Sequence, residues 1–158
     1  MAITSGAYSF LDVQCTFSGP GGSFDIASGQ VSDDAIHIAM DGPKNTKTIG
    51  ANGAGMHSLH ASRGGKITVN LLKTAGGNAM LNQIYNYQQT SSAYWGQNIM
   101  TVTNNITGDA IVATNGAFVK QSDLGYHTEG GTNVWEFDFI EIDEVLGNGL
   151  NPTGLVMP

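Results

Sequence analysis

Two histidines three residues apart, His57 and His60, are the residues in this chain whose type and spacing come closest to a chemical site. A metal centre needs more than two ligands, however, and no carboxylate lies within ten residues of the pair. Both rings are therefore read as hydrogen-bonding groups, as are the isolated His37 and His127. The glycine run GANGAG at residues 50–55 has the look of a phosphate cradle, but it lacks the Gly-Lys-Ser/Thr ending and leads into no helix. Glu141, Asp143 and Glu144 gather where the last strand ends and could run acid-base chemistry only as a shielded pair, so they are read as solvated charge. There is no Gly-x-Ser-x-Gly elbow and no His-Glu-x-x-His helix. Cys15 is the single cysteine and is read as a small core residue. The expectation is a protein that is not an enzyme, with no catalytic residue, metal or cofactor.

The elements that would carry these residues are mostly strands. Around Cys15, residues 8–17 alternate, with Leu11, Val13, Cys15 and Phe17 on one face and Asp12, Gln14 and Thr16 on the other. Gly19-Pro20-Gly21-Gly22 turns the chain into a short strand at Phe24 and Ile26, and Ile36, Ile38 and Met40 mark a third. Ile67, Val69 and Leu71 form the apolar face of the next strand. Asn78 is placed as the N-cap of one helix, whose stripe runs through Met80, Leu81, Ile84, Tyr85 and Gln88. Residues 98–103 and 110–120 read as a hairpin, and residues 133–143 as a last strand with Trp135, Phe137 and Phe139 opposite Glu136 and Asp138. The fold class expected is mainly β, a β-sandwich or barrel-like subunit with one flanking α-helix.

Between the third strand and the next lies the long inter-strand loop Lys44 to Gly65, too long and glycine-rich to be a tight turn. An excursion of about 20 residues without structure of its own is uncommon unless it binds or covers something. Its Met56-His57-Ser58-Leu59-His60 patch and three cations, with no acid, suit docking on another protein surface. Residues 1–147 form one domain and residues 148–158 an extended arm.

With 6 Lys+Arg against 13 Asp+Glu the net charge is −7, and only 12% of residues are charged. Such a chain lacks the basic footprint for gripping phosphates. The opening residues show no basic stretch followed by an apolar one, and no apolar run approaches the roughly 18 residues of a membrane span. The reading is a soluble protein made in the cytoplasm.

Specific strings carry more than these patterns. Tyr8-Ser9-Phe10-Leu11-Asp12-Val13 through Gly19-Pro20-Gly21-Gly22 opens the series, followed by Lys44-Asn45-Thr46 and Thr48-Ile49-Gly50. Gly55-Met56-His57-Ser58-Leu59-His60-Ala61, Leu71-Leu72-Lys73-Thr74, Ser91-Ser92-Ala93 and Trp95-Gly96-Gln97-Asn98 complete it. Together, from about Tyr8 to Gly147, they resemble the tail tube protein of contractile-tailed (myovirus-type) bacteriophages.

The resemblance implies a subunit of hexameric rings with a continuous inner β-barrel. The rings would stack into a hollow tube inside a contractile sheath, end on baseplate and tail terminator proteins, and pass DNA without binding it specifically. It implies a virion tail component, assembled in the host cytoplasm. On this reading Lys44, Lys47, Met56, His57, Leu59, His60 and Arg63 are candidates for the ring-to-ring contact. Asp12, Gln14, Glu136 and Asp138 are candidates for the bore, where six copies at −7 bring a charge of roughly −42 per ring to repel phosphates. Two alternatives share the chain's features. One is the inner tube of a tail-like bacteriocin or type VI-like secretion device; the other is a β-rich ligand-binding module using Tyr87, Tyr94 and Trp95 as a stacking surface.

Overall fold

The computed structural model describes residues 6–27 and 31–147; the expected arm at 148–158 lies outside them. Nine strands and one α-helix follow one another along this span. They are β1 (Val13–Gly19), β2 (Gly22–Asp25), β3 (Val31–Met40), β4 (Asn45–Ile49), β5 (Gly55–Leu59), β6 (Gly65–Leu72), α1 (Gly76–Gln88), β7 (Asn98–Asn104), β8 (Asp109–Phe118) and β9 (Thr132–Val145). Seven strands make one antiparallel sheet in the order β2-β1-β7-β8-β9-β6-β3, and β4 with β5 forms a separate two-stranded ribbon.

The sheet curls into a half-barrel. Phe17 on β1 and Phe137 on β9 show why, for their ring centroids are 5.3 Å apart. In a flat sheet those strands, three places apart, would stand about 14 Å from each other. Rolling the sheet brings both rings into one core with Phe118, Trp135 and Phe139, sealed by Leu81 and Ile84 from α1. The alternation read from the sequence is clearest in β6, where Ile67, Val69 and Leu71 are buried, and in β9, where Trp135, Phe137 and Phe139 are.

A bulge in β8 helps the roll. Met100 pairs with Ala113 but Asn98 with Gly116, so β8 holds one extra residue against β7, and Asn115 takes a left-handed φ of 56°. Next to it, a Cβ on Gly116 would fall 2.3 Å from the Phe139 ring, so only glycine lets that ring lie against the strand.

Three expectations are corrected locally. β1 begins only at Val13, because the Leu11 N–H donates to the Ser9 hydroxyl at 3.2 Å and Phe10–Asp12 closes into a 3-10 turn. Leu11 is consequently 93% exposed and belongs to no core face. The helix starts at Gly76 with Ala75 as its cap. Asn78 lies inside the first turn, with its amide already used: Nδ2 donates to the Leu72 carbonyl at 2.8 Å and Oδ1 accepts from Trp135 Nε1 at 3.0 Å.

The excursion after β3 has a structure of its own. It is the β4–β5 ribbon, paired Asn45 with Leu59 through Ile49 with Gly55. The glycine run makes its turn, with Gly50 N–H on the Ala54 carbonyl at 2.7 Å and Gly53 at φ 87°.

Candidate assembly surfaces

The ribbon buries none of its side chains: every residue of β4 and β5 is exposed except the half-buried Ser58. An isolated two-stranded hairpin is marginal in water, so what holds this one is its base. Lys44 Nζ donates to the Ser62 carbonyl at 2.6 Å, and the His60 N–H donates to the Lys44 carbonyl at 2.9 Å. Arg63 then fastens the return strand to β9, pairing with Glu141 at 3.2 Å and with Asp143, while the Ile142 N–H donates to its carbonyl at 2.9 Å. Gly64 and Gly65 let this crossing lie flat, since a Cβ would meet the Phe139 carbonyl at 2.8 Å or the Ala39 carbonyl at 2.6 Å. The three residues Glu141, Asp143 and Arg63 thus form a clamp that sequence spacing alone gave no means to find.

Strand geometry sorts the candidate contact residues onto two faces, because alternate residues point oppositely. Lys47, His57 and Leu59 share one face with Asn45 and Ile49; Met56 and His60 lie on the other with Thr46 and Thr48. Met56, 58% exposed, and Leu59, 81% exposed, are therefore back to back. The two histidines are separated in the same way. His57 Nδ1 faces Asn45 Nδ2 at 3.1 Å, and His60 Nε2 faces the Thr46 hydroxyl at 2.6 Å. A pair divided by its own ribbon cannot chelate one ion, and among the described residues no group of three or more His, Cys, Asp or Glu could hold a metal.

The second surface is the solvent side of the half-barrel. Gln14 stands opposite Thr103, and Thr16 opposite Thr101. Farther along, Glu136 is opposite Thr68 and Asp138 opposite Lys66. Glu136 and Asp138 thus share one stretch of β9, Gln14 lies on the same side three strands away, and Asp12 sits in the 3-10 turn and off the strands. Between them the outward side is mixed, with Thr101 and Thr103 of β7 beside the exposed Ile99 of β7 and Val112 of β8.

The third surface is the pair of sheet edges. β2, four residues long, and β3, ten residues long, each have one hydrogen-bonded neighbour in the sheet. An edge that keeps its second row of amides and carbonyls unpaired is a template for another strand.

The aromatics near the helix end pack on one another. Tyr87 stacks on Tyr94 with centroids 4.9 Å apart, and Tyr85 meets Trp95 edge-on at 6.1 Å. The hydrogen bond to Tyr94 raises the Tyr87 phenol above its ordinary value. Beneath them Gln88 and Asn98 bond reciprocally, at 2.6 and 3.1 Å, and Gln88 also donates to the Pro20 carbonyl at 2.9 Å. From Thr74 to Gly108, across α1 and β7, no Asp, Glu, Lys or Arg occurs.

Comparison with known proteins agrees with this geometry. The family model described as bacteriophage PhiTE tail tube protein matches residues 5–147. A search of curated proteins finds no match. Among solved structures the chain is similar to a protein of the anti-feeding prophage baseplate, 6-fold symmetrised, with TM-score 0.58 and 12% identity over 92% of this chain and 97% of that one. It is similar also to a chain of the anti-feeding prophage cap, the tube terminating cap, with TM-score 0.55 and 10% identity over 93% and 95%. A third similarity is to an extracellular contractile injection system, the PVC sheath-tube complex in its extended state, with TM-score 0.51 and 13% identity over 84% and 88%. Identities this low speak for a shared fold.

Proposed function

The chain belongs to the bacteriophage PhiTE tail tube protein family and is a structural subunit of a phage tail tube, and on that premise we propose that six copies join edge to edge into a ring and that rings stack into a hollow conduit for DNA. The observation that carries this reading is the open half-barrel with an edge strand at each end, β2 and β3. Joining β2 of one copy to β3 of the next satisfies both edges and continues the curl into one barrel. Six-fold arrangement is supported by the like-folded anti-feeding prophage baseplate, described as 6-fold symmetrised.

The ribbon supplies the contact between rings, through Lys44, Lys47, Met56, His57, Leu59 and His60, while Arg63 holds its base on β9. Gln14, Glu136 and Asp138 line the bore, with Asp12 at its rim. Carboxylates and hydroxyls there repel or ignore phosphates, and a conduit must not hold its cargo. The partners are further copies of the chain, a contractile sheath around the tube, and baseplate and tail terminator proteins at its ends. The role is mechanical and not enzymatic, and the subunit is assembled in the host cytoplasm before it resides in the virion tail.

Likeness in fold to a sheath-tube complex of an injection system favours a second reading, a tube of the same build that carries no genome. Genes for a capsid and a DNA-packaging motor beside the coding sequence separate the phage tail from that device.

Negative-stain micrographs of the purified protein at increasing concentration test the main reading. Rings with six-fold class averages, or tubes, are expected. Uniform monomers at every concentration, including after addition of baseplate seeds, would overturn it.

A further inference from the structure

We infer that the β4–β5 ribbon of one copy seats on the β8–β9 loop, residues 119–131, of a copy in the next ring, with Leu59 against Tyr126 and Lys47 against Glu129. The inference rests on the tube reading and adds to it the surface that receives the ribbon. β6 fixes where the two surfaces stand. At its Gly65 end the ribbon departs: Met40 pairs with Gly65, the Asp41 N–H donates to the Gly64 carbonyl at 3.0 Å, and pairing resumes at Asn45 and Leu59. At its other end Leu72 pairs with Thr132, and Lys73 takes hold of the loop. The Lys73 N–H donates to the Gly131 carbonyl at 3.1 Å, while its ammonium donates to the Gly125 carbonyl and lies 4.3 Å from the Tyr126 ring centroid. The eight residues of β6 hold ribbon and loop about 23 Å apart. Joining β2 to β3 uses the sides of the sheet, so the strand ends point up and down the tube. Rings stacked in one orientation therefore set ribbon against loop.

The charges left over on the two surfaces match. From Lys44 to Arg63 the chain has no carboxylate. Lys44 is bonded to the Ser62 carbonyl and Arg63 to Glu141 and Asp143, which leaves Lys47 without a partner among the described residues. In the loop Lys120 pairs with Asp123 at 3.2 Å, which leaves Glu129. Lys47 shares its ribbon face with Leu59 and Ile49, and Glu129 stands in a loop whose Leu124 and Tyr126 are exposed. Opposite charges fix the register, and the apolar side chains leave water together. The other ribbon face, with Met56, has Lys44 as its nearest cation, and that one is already bonded. Every copy in a ring repeats the contact, so an exposed ion pair that is weak alone counts many times over.

Charge exchange in the full chain tests this. Lys47 and Glu129 are exposed, so each variant should keep the urea midpoint of the original subunit. Lys47→Glu and Glu129→Lys should each cut the tube mass pelleted by ultracentrifugation at least fivefold while leaving single rings, and the double exchange should restore at least half of it. Unchanged tubes from both single variants, or a double variant no better than either single, overturn the contact. A covalent readout does not need tubes, and Cys15 can stay in place because it is fully buried. Leu59→Cys and Tyr126→Cys proteins, mixed at high concentration and mildly oxidised, should form the mixed dimer well above its statistical share, whereas Met56→Cys with Tyr126→Cys should not. A statistical mixture, or Met56→Cys bonding as well as Leu59→Cys, also overturns it. Normal tubes beside unchanged variants sink this contact alone; absence of rings and tubes from the original protein sinks the tube reading and this contact with it.

Discussion

At the scale of single residues the chain's one thiol is inert by position. Cys15 is fully buried on β1, and burial, followed by the negative charge of Asp25, pushes its pKa from 9.0 to about 12. A folded-state value raised above the unfolded one stabilises the fold below pH 9.0, and that contribution is lost as pH rises from 9.0 toward 12. Urea midpoints measured between pH 8 and pH 11 should fall more steeply for the natural protein than for Cys15→Ala, because tyrosines and lysines titrate alike in both; equal slopes would contradict the burial argument. The burial of Cys15 was legible from period-two alternation with Phe17. The Arg63 clamp was not, since 78 and 80 residues separate it from Glu141 and Asp143 and only the β6–β9 ladder brings them together. The same holds for Gln88. Its place on the helix stripe told which way it faces, but its bond to Asn98 depends on Gly19, where a Cβ would fall 2.0 Å from Asn98 Oδ1.

At the scale of elements, strands with one buried face announced themselves and the ribbon did not. The signal for a strand is apolar alternation, which records burial, and β4 and β5 bury neither face. The excursion therefore read as an irregular loop although its backbone pairs in full register. The helix was legible in its stripe but not in its start, because Gly76 and Gly77 look like a break while in the fold they supply the first turn. Since Met56 and Leu59 occupy opposite faces, single substitutions discriminate between them. Met56→Asp and Leu59→Asp should each leave the unfolding free energy of the subunit, read from urea titration, within about 0.5 kcal/mol of the original, as exposed sites do. Whichever face meets the next ring, its variant alone should stop tube growth in micrographs. Normal tubes from both variants would remove the ribbon from the ring contact.

At the scale of the whole molecule the sheet order was the part least open to sequence reasoning. Seven strands, one helix and their approximate limits could be read, but β1 lies beside β7, and β6 between β9 and β3, pairings between strands that are not neighbours in the sequence. The bore assignment belongs to this scale too. Replacing Glu136 and Asp138 together by lysine should permit tubes yet slow dye-detected DNA release from triggered particles. The delay should shrink as salt is raised, with a screening length of about 10 Å at 0.1 M. Release at the original rate would place those side chains away from the passing genome. One further consequence follows from the unequal edges, four residues in β2 and ten in β3. Because the two margins differ, a seam built from them has a direction: no copy can be turned end for end without setting like against like. Any ring built this way is polar, with two chemically distinct mouths, so that a cylinder of rings stacked in one orientation can start its growth at one end and be capped at the other.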